Sequence, residues 1–187
     1  MKHTFKHFVI RGNYFLRVKV LEDGESCLRN WAANPEIYRY ISQNAKTPQD
    51  VFQWLSTAGQ AYASPETYYW AIVEKMTGEV MGEIFVDDFS IRNGWGELDW
   101  KIGPAFWGKG FAPEAAKAVI RYLMGEVGFH RIQAKCCVEN TASERVMQKI
   151  GMTQEGILRE YFHNKDNRWC DVVLYSLLDR EEPDFQK

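Results

Sequence analysis

Phe106-Trp107-Gly108-Lys109-Gly110-Phe111-Ala112 lies between two stretches of different character. Before it, Leu98, Trp100 and Ile102 recur at strand spacing; after it, residues 113–124 carry apolar side chains at helical spacing. A glycine-rich turn that opens a helix aims several free backbone N–H groups in one direction. The positive end of the helix dipole points the same way, so such a turn cradles a phosphate or pyrophosphate. Gly108 and Gly110 allow positive φ and close approach, and Lys109 adds a charge. Pro104 has no N–H and interrupts strand pairing just upstream. The stretch is not a P-loop, because GxxxxGK[ST] is absent, and not a dinucleotide fingerprint, because GxGxxG is absent.

Outward from this turn the chain alternates between two periods. Strands are expected over residues 14–20, 68–74, 80–87 and 95–102, then over 131–138, 156–164 and 169–178. Helices are expected from a cap at Asp23 to about Asn34, from Thr47-Pro48-Gln49-Asp50 through Tyr62, over 113–124, and from Asn140 or Thr141 to Ile150, where Gly151 ends it. A shorter helical piece is expected over 37–41. The order predicts an α/β (α+β) fold, a mixed sheet of about seven strands flanked by about four helices.

Composition bounds the function. The chain has 187 residues, 45% of them apolar, which is one folded domain by default, expected here over 1–187. A net charge of −2 leaves no basic footprint for nucleic acid. No apolar run approaches the roughly 20 residues that cross a bilayer, and residues 1–11 lack the apolar core of a signal peptide, so a cytoplasmic location without membrane partners is expected. Cys27, Cys136, Cys137 and Cys170 form no CxxC pair, and His3, His7, His130 and His163 have no ligand spacing. Reduced thiols and no metal are the expectation.

The loop gains specificity from the residues downstream and upstream of it. Asn140-Thr141-Ala142-Ser143 precedes a helix that ends in Lys149-Ile150-Gly151-Met152. Glu97-Leu98-Asp99-Trp100-Lys101-Ile102-Gly103 precedes the loop, and Asn167-Arg168-Trp169-Cys170-Asp171 runs on to Leu174-Tyr175-Ser176-Leu177-Leu178. On these motifs the chain resembles the GNAT N-acetyltransferase superfamily, in the branch similar to the ribosomal-protein N-terminal acetyltransferases RimJ and RimL. The resemblance covers residues 14–178. It departs from the family's [RQ]-x-x-G-x-[GA] loop in having Trp107 where arginine or glutamine is usual, and it has Met147 where many members carry a tyrosine acid.

The resemblance implies a GNAT fold whose fourth and fifth strands, 95–102 and 131–138, splay apart to admit pantetheine. It implies acetyl-CoA as co-substrate and an amine as acceptor. Ile102 and Gly103 would line the pantetheine arm, and the acyl-CoA loop Trp107, Gly108, Lys109, Gly110, Phe111 and Ala112 would hold the pyrophosphate. Asn140 would touch pantetheine, and Ser143 would lie near the sulfur, where its hydroxyl could protonate the thiolate. A backbone N–H on strand 95–102 would stabilise the oxyanion.

The amine needs a base, because an ammonium has no lone pair. Glu97 is the first candidate. Asp99 shares its strand face and competes for the role, or meets the substrate. Glu160 is a third candidate on the same terms. The acidic residues Glu79, Glu83, Asp87, Asp88, Glu97 and Asp99 face only Arg92 in their stretch and offer steering of a cationic amine. The aromatic residues Trp54, Tyr62, Tyr68, Tyr69 and Trp70 are either an acceptor cleft or core. The expected acceptor is a protein N-terminal α-amine. A small amine (polyamine, amino acid or antibiotic) is the alternative enzyme reading, and a silent acyl-CoA-binding module the alternative outside enzymes. A homodimer is expected from relatives.

Overall fold

Strands that are apolar on alternate positions must bury that face, and those apolar throughout must bury both. The computed structural model describes residues 8–11, 14–62, 64 and 66–181. It arranges the strands as β1 (Phe8–Arg11), β2 (Tyr14–Arg17), β3 (Tyr69–Glu74), β4 (Val80–Ser90), β5 (Trp95–Ile102), β6 (Arg131–Cys137), β7 (Thr153–His163) and β8 (Trp169–Leu178). One sheet contains all eight, in the order β1-β2-β3-β4-β5-β6-β8-β7. Seven correspond to the expected strands; β1 is additional and pairs antiparallel with β2. Of the four histidines, His3 and His7 lie outside the described residues.

The helices lie on both faces. One face buries Trp70, Ile72, Met81, Ile84 and Leu98 under α3 (Phe111–Tyr122) and α4 (Thr141–Lys149). The other buries Ala71, Val73 and Val80 under α1 (Gly24–Cys27), its continuation Leu28–Ala32, and α2 (Pro48–Ala61). Alternation along β3 sends Trp70 and Ile72 one way and Ala71 and Val73 the other, so this strand is apolar throughout. The capping box of α2 is present: Asp50 N–H donates to Thr47 Oγ1 at 3.2 Å and Thr47 N–H donates to Asp50 Oδ2 at 2.8 Å. The cap expected at Asp23 is not made. Its carboxylate instead accepts from Arg17 Nη2 at 2.6 Å and from Val20 N–H at 2.9 Å, which turns the chain out of β2 earlier than its apolar pattern suggests.

All neighbouring strands are antiparallel except β5 and β6, which α3 connects as a parallel pair. That pair is short. Only Trp95, Gly96 and Glu97 pair with Arg131, Ile132 and Gln133. Beyond this point β5 stays on β4 to Ile102 and β6 stays on β8 to Cys137, and the two part. This is the expected splay. Close backbone approach on β4 holds the β5 side of the wedge: a Cβ at Gly82 would strike the Lys101 carbonyl oxygen. Gly82→Ala is therefore expected to lower unfolding free energy by about 1–3 kcal/mol. Gly59→Ala, on α2 with open space around it, is expected to raise it by about 0.5–1 kcal/mol. Urea denaturation of the two variants beside the parent checks both signs.

Candidate active site

The loop after β5 begins with a 3-10 turn, Pro104–Phe106, and ends at Gly110, which has φ +86° and stands at the N-cap of α3. Gly108 has φ +73°. A Cβ at either glycine would meet nothing within 4 Å, so the space over the turn is open. Among the described residues, the N–H groups of Gly108, Lys109, Gly110, Phe111 and Ala112 have no protein acceptor, while those of Phe106 and Trp107 are used by Gly103 and Pro104. Five donors at a helix N-terminus in open space fit a pyrophosphate. Lys109 is exposed above them, its Nζ 5.7 Å from the Phe106 ring.

Trp107, the departure from the family pattern, faces the other way. Its Nε1 donates to the Ile102 carbonyl at 2.6 Å and so ties the loop to the end of β5. Gly103 is likewise engaged, since its N–H donates to Met81 O at 2.8 Å and a Cβ there would strike the Asn30 carbonyl. Ile102 and Gly103 thus offer few free backbone groups. The unpaired edges of β5 and β6 inside the wedge lie just upstream of them.

Ser143 and Asp99 lie toward opposite faces of the sheet. Asn140 caps α4 by accepting from Ser143 N–H at 3.2 Å. Ser143 lies one turn from Met147, which is fully buried against the α3 side of the sheet. Met147 is therefore core, and Ser143 is the half-buried hydroxyl on that helix face. Asp99 is on the other face, because Leu98 and Trp100 on either side of it pack toward α3.

The three carboxylate candidates have different surroundings. Glu97 is buried; its carboxylate is in an ion pair with Lys135 and accepts from Gln133 Nε2 at 3.0 Å. Glu160 is exposed at φ +49°, where its N–H donates to Asp171 Oδ1 at 2.8 Å. It lines a separate cavity with Cys137, Trp169 and Asp171. Asp99 stands two residues past the last β5–β6 pair, and its carboxylate has no hydrogen bond or ion pair among the described residues. Burial first, then the negative charge of Glu97, pushes its carboxyl up to about 7; Lys135 and Lys101 offset part of this.

A cleft of about 210 Å³ opens on the same face, lined by Trp31, Tyr38, Trp54, Tyr69 and Phe85 and by the charged groups of Lys46, Glu83, Asp87 and Lys101. The aromatic cluster read from sequence thus divides. Trp54 and Tyr69 line the cleft, Tyr68 and Trp70 are core, and Tyr62 Oη accepts from Lys19 N–H at 3.0 Å. Three of the six acidic residues of the stretch are paired with cations, which weakens its steering field. Glu79 pairs with Arg29, Glu97 with Lys135, and buried Glu83 with both Lys19 and Lys101. The two ammonium groups outweigh burial and hold the Glu83 carboxyl below its usual range. Sequence reasoning does not single out Lys19, Lys101, Gln133 or Lys135 as site residues; the alternation of β6, which matches that of β5, is the available signal.

Comparison with known proteins places these features in context. Residues 15–153 match the family model described as an acetyltransferase (GNAT) domain. The chain is 34% identical over 173 residues to the uncharacterized N-acetyltransferase p20 of Bacillus licheniformis, covering 89% of this chain and 93% of that protein. Over 80 residues it is 35% identical to the [ribosomal protein uS5]-alanine N-acetyltransferase of Escherichia coli, 43% of this chain and 41% of that protein. The crystal structure of an acetyltransferase (GNAT family) from Bacillus anthracis superposes with a TM-score of 0.81 at 26% identity, over 94% of this chain and 100% of that one.

Glu97 is a buried carboxylate held by Lys135 and Gln133. Lys135→Met, which strips a buried carboxylate of its cation, is expected to lower stability by about 3 kcal/mol. Lys135→Met combined with Glu97→Gln is expected to recover most of that loss. Denaturant midpoints of the single and double variants test the coupling.

Proposed function

The chain belongs to the GNAT acetyltransferase family and is an N-acetyltransferase; we propose that its acceptor is the α-amine of a protein N-terminus and that Asp99 is the general base. The observation that carries this reading is Asp99 itself, a carboxyl without a partner at the mouth of the wedge, raised to about 7. An α-amine has a reference pKa of about 8, against about 10.4 for an alkylamine. Proton transfer to a base near 7 is then uphill by about one unit for the α-amine and by about three for a lysine-like or polyamine nitrogen. The relative named as a ribosomal-protein alanine N-acetyltransferase supports the same acceptor class.

Acetyl-CoA, the co-substrate of the family, supplies an activated acetyl thioester when bound. The free N–H groups from Gly108 to Ala112 are suited to its pyrophosphate, and Lys109 supplies the adjacent positive charge. The unpaired edges of β5 and β6 are suited to the amide groups of its pantetheine arm, because buried backbone donors and acceptors need partners. Trp107 keeps the end of β5 fixed to the loop, so the cradle and the wedge hold one spacing. Asp99 takes the amine proton on the face toward α2. Ser143, on the face toward α4, is the hydroxyl positioned to protonate the departing thiolate, and Asn140 fixes the turn that presents it.

Two measurements test this. Acetyl-CoA should raise the melting temperature of the parent protein, and the rise should vanish in Gly110→Trp, whose side chain fills the cradle. Asp99→Asn should keep the acetyl-CoA shift but reduce kcat by about 10²–10⁴ on an N-terminal peptide. In the parent, kcat/KM should climb with pH through about 7 as Asp99 ionises. Glu97→Gln should move that rise to lower pH, because it removes the neighbouring negative charge. A profile with no ionisation near 7, or full activity in Asp99→Asn, would overturn the assignment.

A further inference from the structure

The geometry points to Lys101 as the residue that selects the acceptor: its ammonium donates to the carbonyl oxygen on the carbon attached to the amine-bearing Cα. The acceptor class is then an α-aminoacyl group. This inference rests on the acetyltransferase reading and on Asp99 as base.

Three observations carry it. First, Lys101 follows Asp99 by two residues on β5, on the same face. Their Cβ atoms are therefore about 6.6 Å apart along the strand. In an α-aminoacyl group the oxygen lies about 3 Å from the amine nitrogen by standard bond lengths. With one hydrogen bond at each end, such a group spans two side chains at this separation; an isolated amine engages only one.

Second, Lys101 has donor capacity to spare and is held in place. Its Nζ approaches Glu83 Oε1 at 3.2 Å and Gln43 Oε1 at 3.4 Å, and it lies 5.1 Å from the Phe85 ring. An ammonium has three donors, so one remains, and the side chain retains 16% exposure at the cleft wall. Phe85, across which it lies, is also the β4 residue paired with Asp99.

Third, the cleft is unsuited to a polycation. The aromatic faces that attract ammonium groups are already covered: Lys19 Nζ lies 4.1 Å from the Trp54 ring and 5.3 Å from the Tyr69 ring, and Lys101 covers Phe85. Glu83 is matched by two lysines, Lys46 adds a third cation to the wall, and Asp87 accepts the Tyr69 hydroxyl at 2.9 Å. An oxygen next to the amine meets a cation here; a second ammonium does not meet a free anion of equal depth.

The test measures CoA release from acetyl-CoA with four acceptors: a tetrapeptide with a free N-terminus, its first residue as a free amino acid, n-butylamine and spermidine. The parent should favour one of the first two over both amines by at least 10²-fold in kcat/KM. A preference for the peptide assigns the α-aminoacyl group to a chain end, and a preference for the amino acid assigns it to a free small molecule. In Lys101→Met the ratio of the favoured acceptor to n-butylamine should fall by roughly 10–100-fold, mainly through KM, as expected for loss of a charged hydrogen bond. Lys101→Arg should recover part of it. An equal loss on all acceptors would show a merely structural role and overturn the inference, as would spermidine as the preferred acceptor of the parent. No release with any amine would instead defeat the acetyltransferase reading on which the inference rests.

Discussion

Parallel strands hold together only while their backbones stay side by side, and β5 and β6 do so for three residues. Each strand is committed on its outer side, β5 to β4 and β6 to β8, over a longer register. The twist of those two ladders draws them apart, and the Glu97–Lys135 ion pair sits at the last point of union. Past it, among the described residues, no β5–β6 ladder pairs the two inner edges, whose backbone groups need other partners. Such groups are tolerated only where water or a ligand satisfies them. The loop donors at α3, the hydroxyl on α4 and the carboxyl on β5 are all arranged around that opening.

Charge on the face toward α2 is organised by the same opening. Glu83 and Glu97 are buried anions with lysine partners, and each fixes a strand position at the cost of desolvation. Asp99 lies two residues past Glu97 on β5, its carboxyl without a partner among the described residues, and its proton affinity rises through burial first and then through the negative charge of Glu97. The burial of Asp99 itself is the main cause, and the lysines held by Glu97 and Glu83 offset only part of it.

Much of this was legible in the sequence. The strand-turn-helix around Gly108 and Gly110, the α2 capping box and the asparagine cap at Asn140 are local, and local spacing encodes them. The family motifs carried the wedge. What did not show was set by contacts distant in sequence. Glu97 and Asp99 look equivalent along the chain, and partners distant in sequence, Gln133 and Lys135, give them different surroundings. Trp107 reads as a lost ligand until its indole is found on the Ile102 carbonyl. Nothing local in the sequence reveals that Lys19 and Lys101 converge on one buried glutamate.

The sheet order carries a consequence for how the chain is made. β8 is the last strand of the described chain, yet it lies inside the sheet between β6 and β7. During synthesis, β6 and α4 leave the ribosome before the strand that will cover the outer edge of β6 exists. The antiparallel meander from β1 to β5 can form as it emerges, but the β6-β8-β7 part of the sheet waits for residues 169–178. Until then β6 presents one open edge toward the missing strand as well as the one that faces the wedge. That interval is when a nascent chain of this topology is most exposed to pairing with the wrong neighbour.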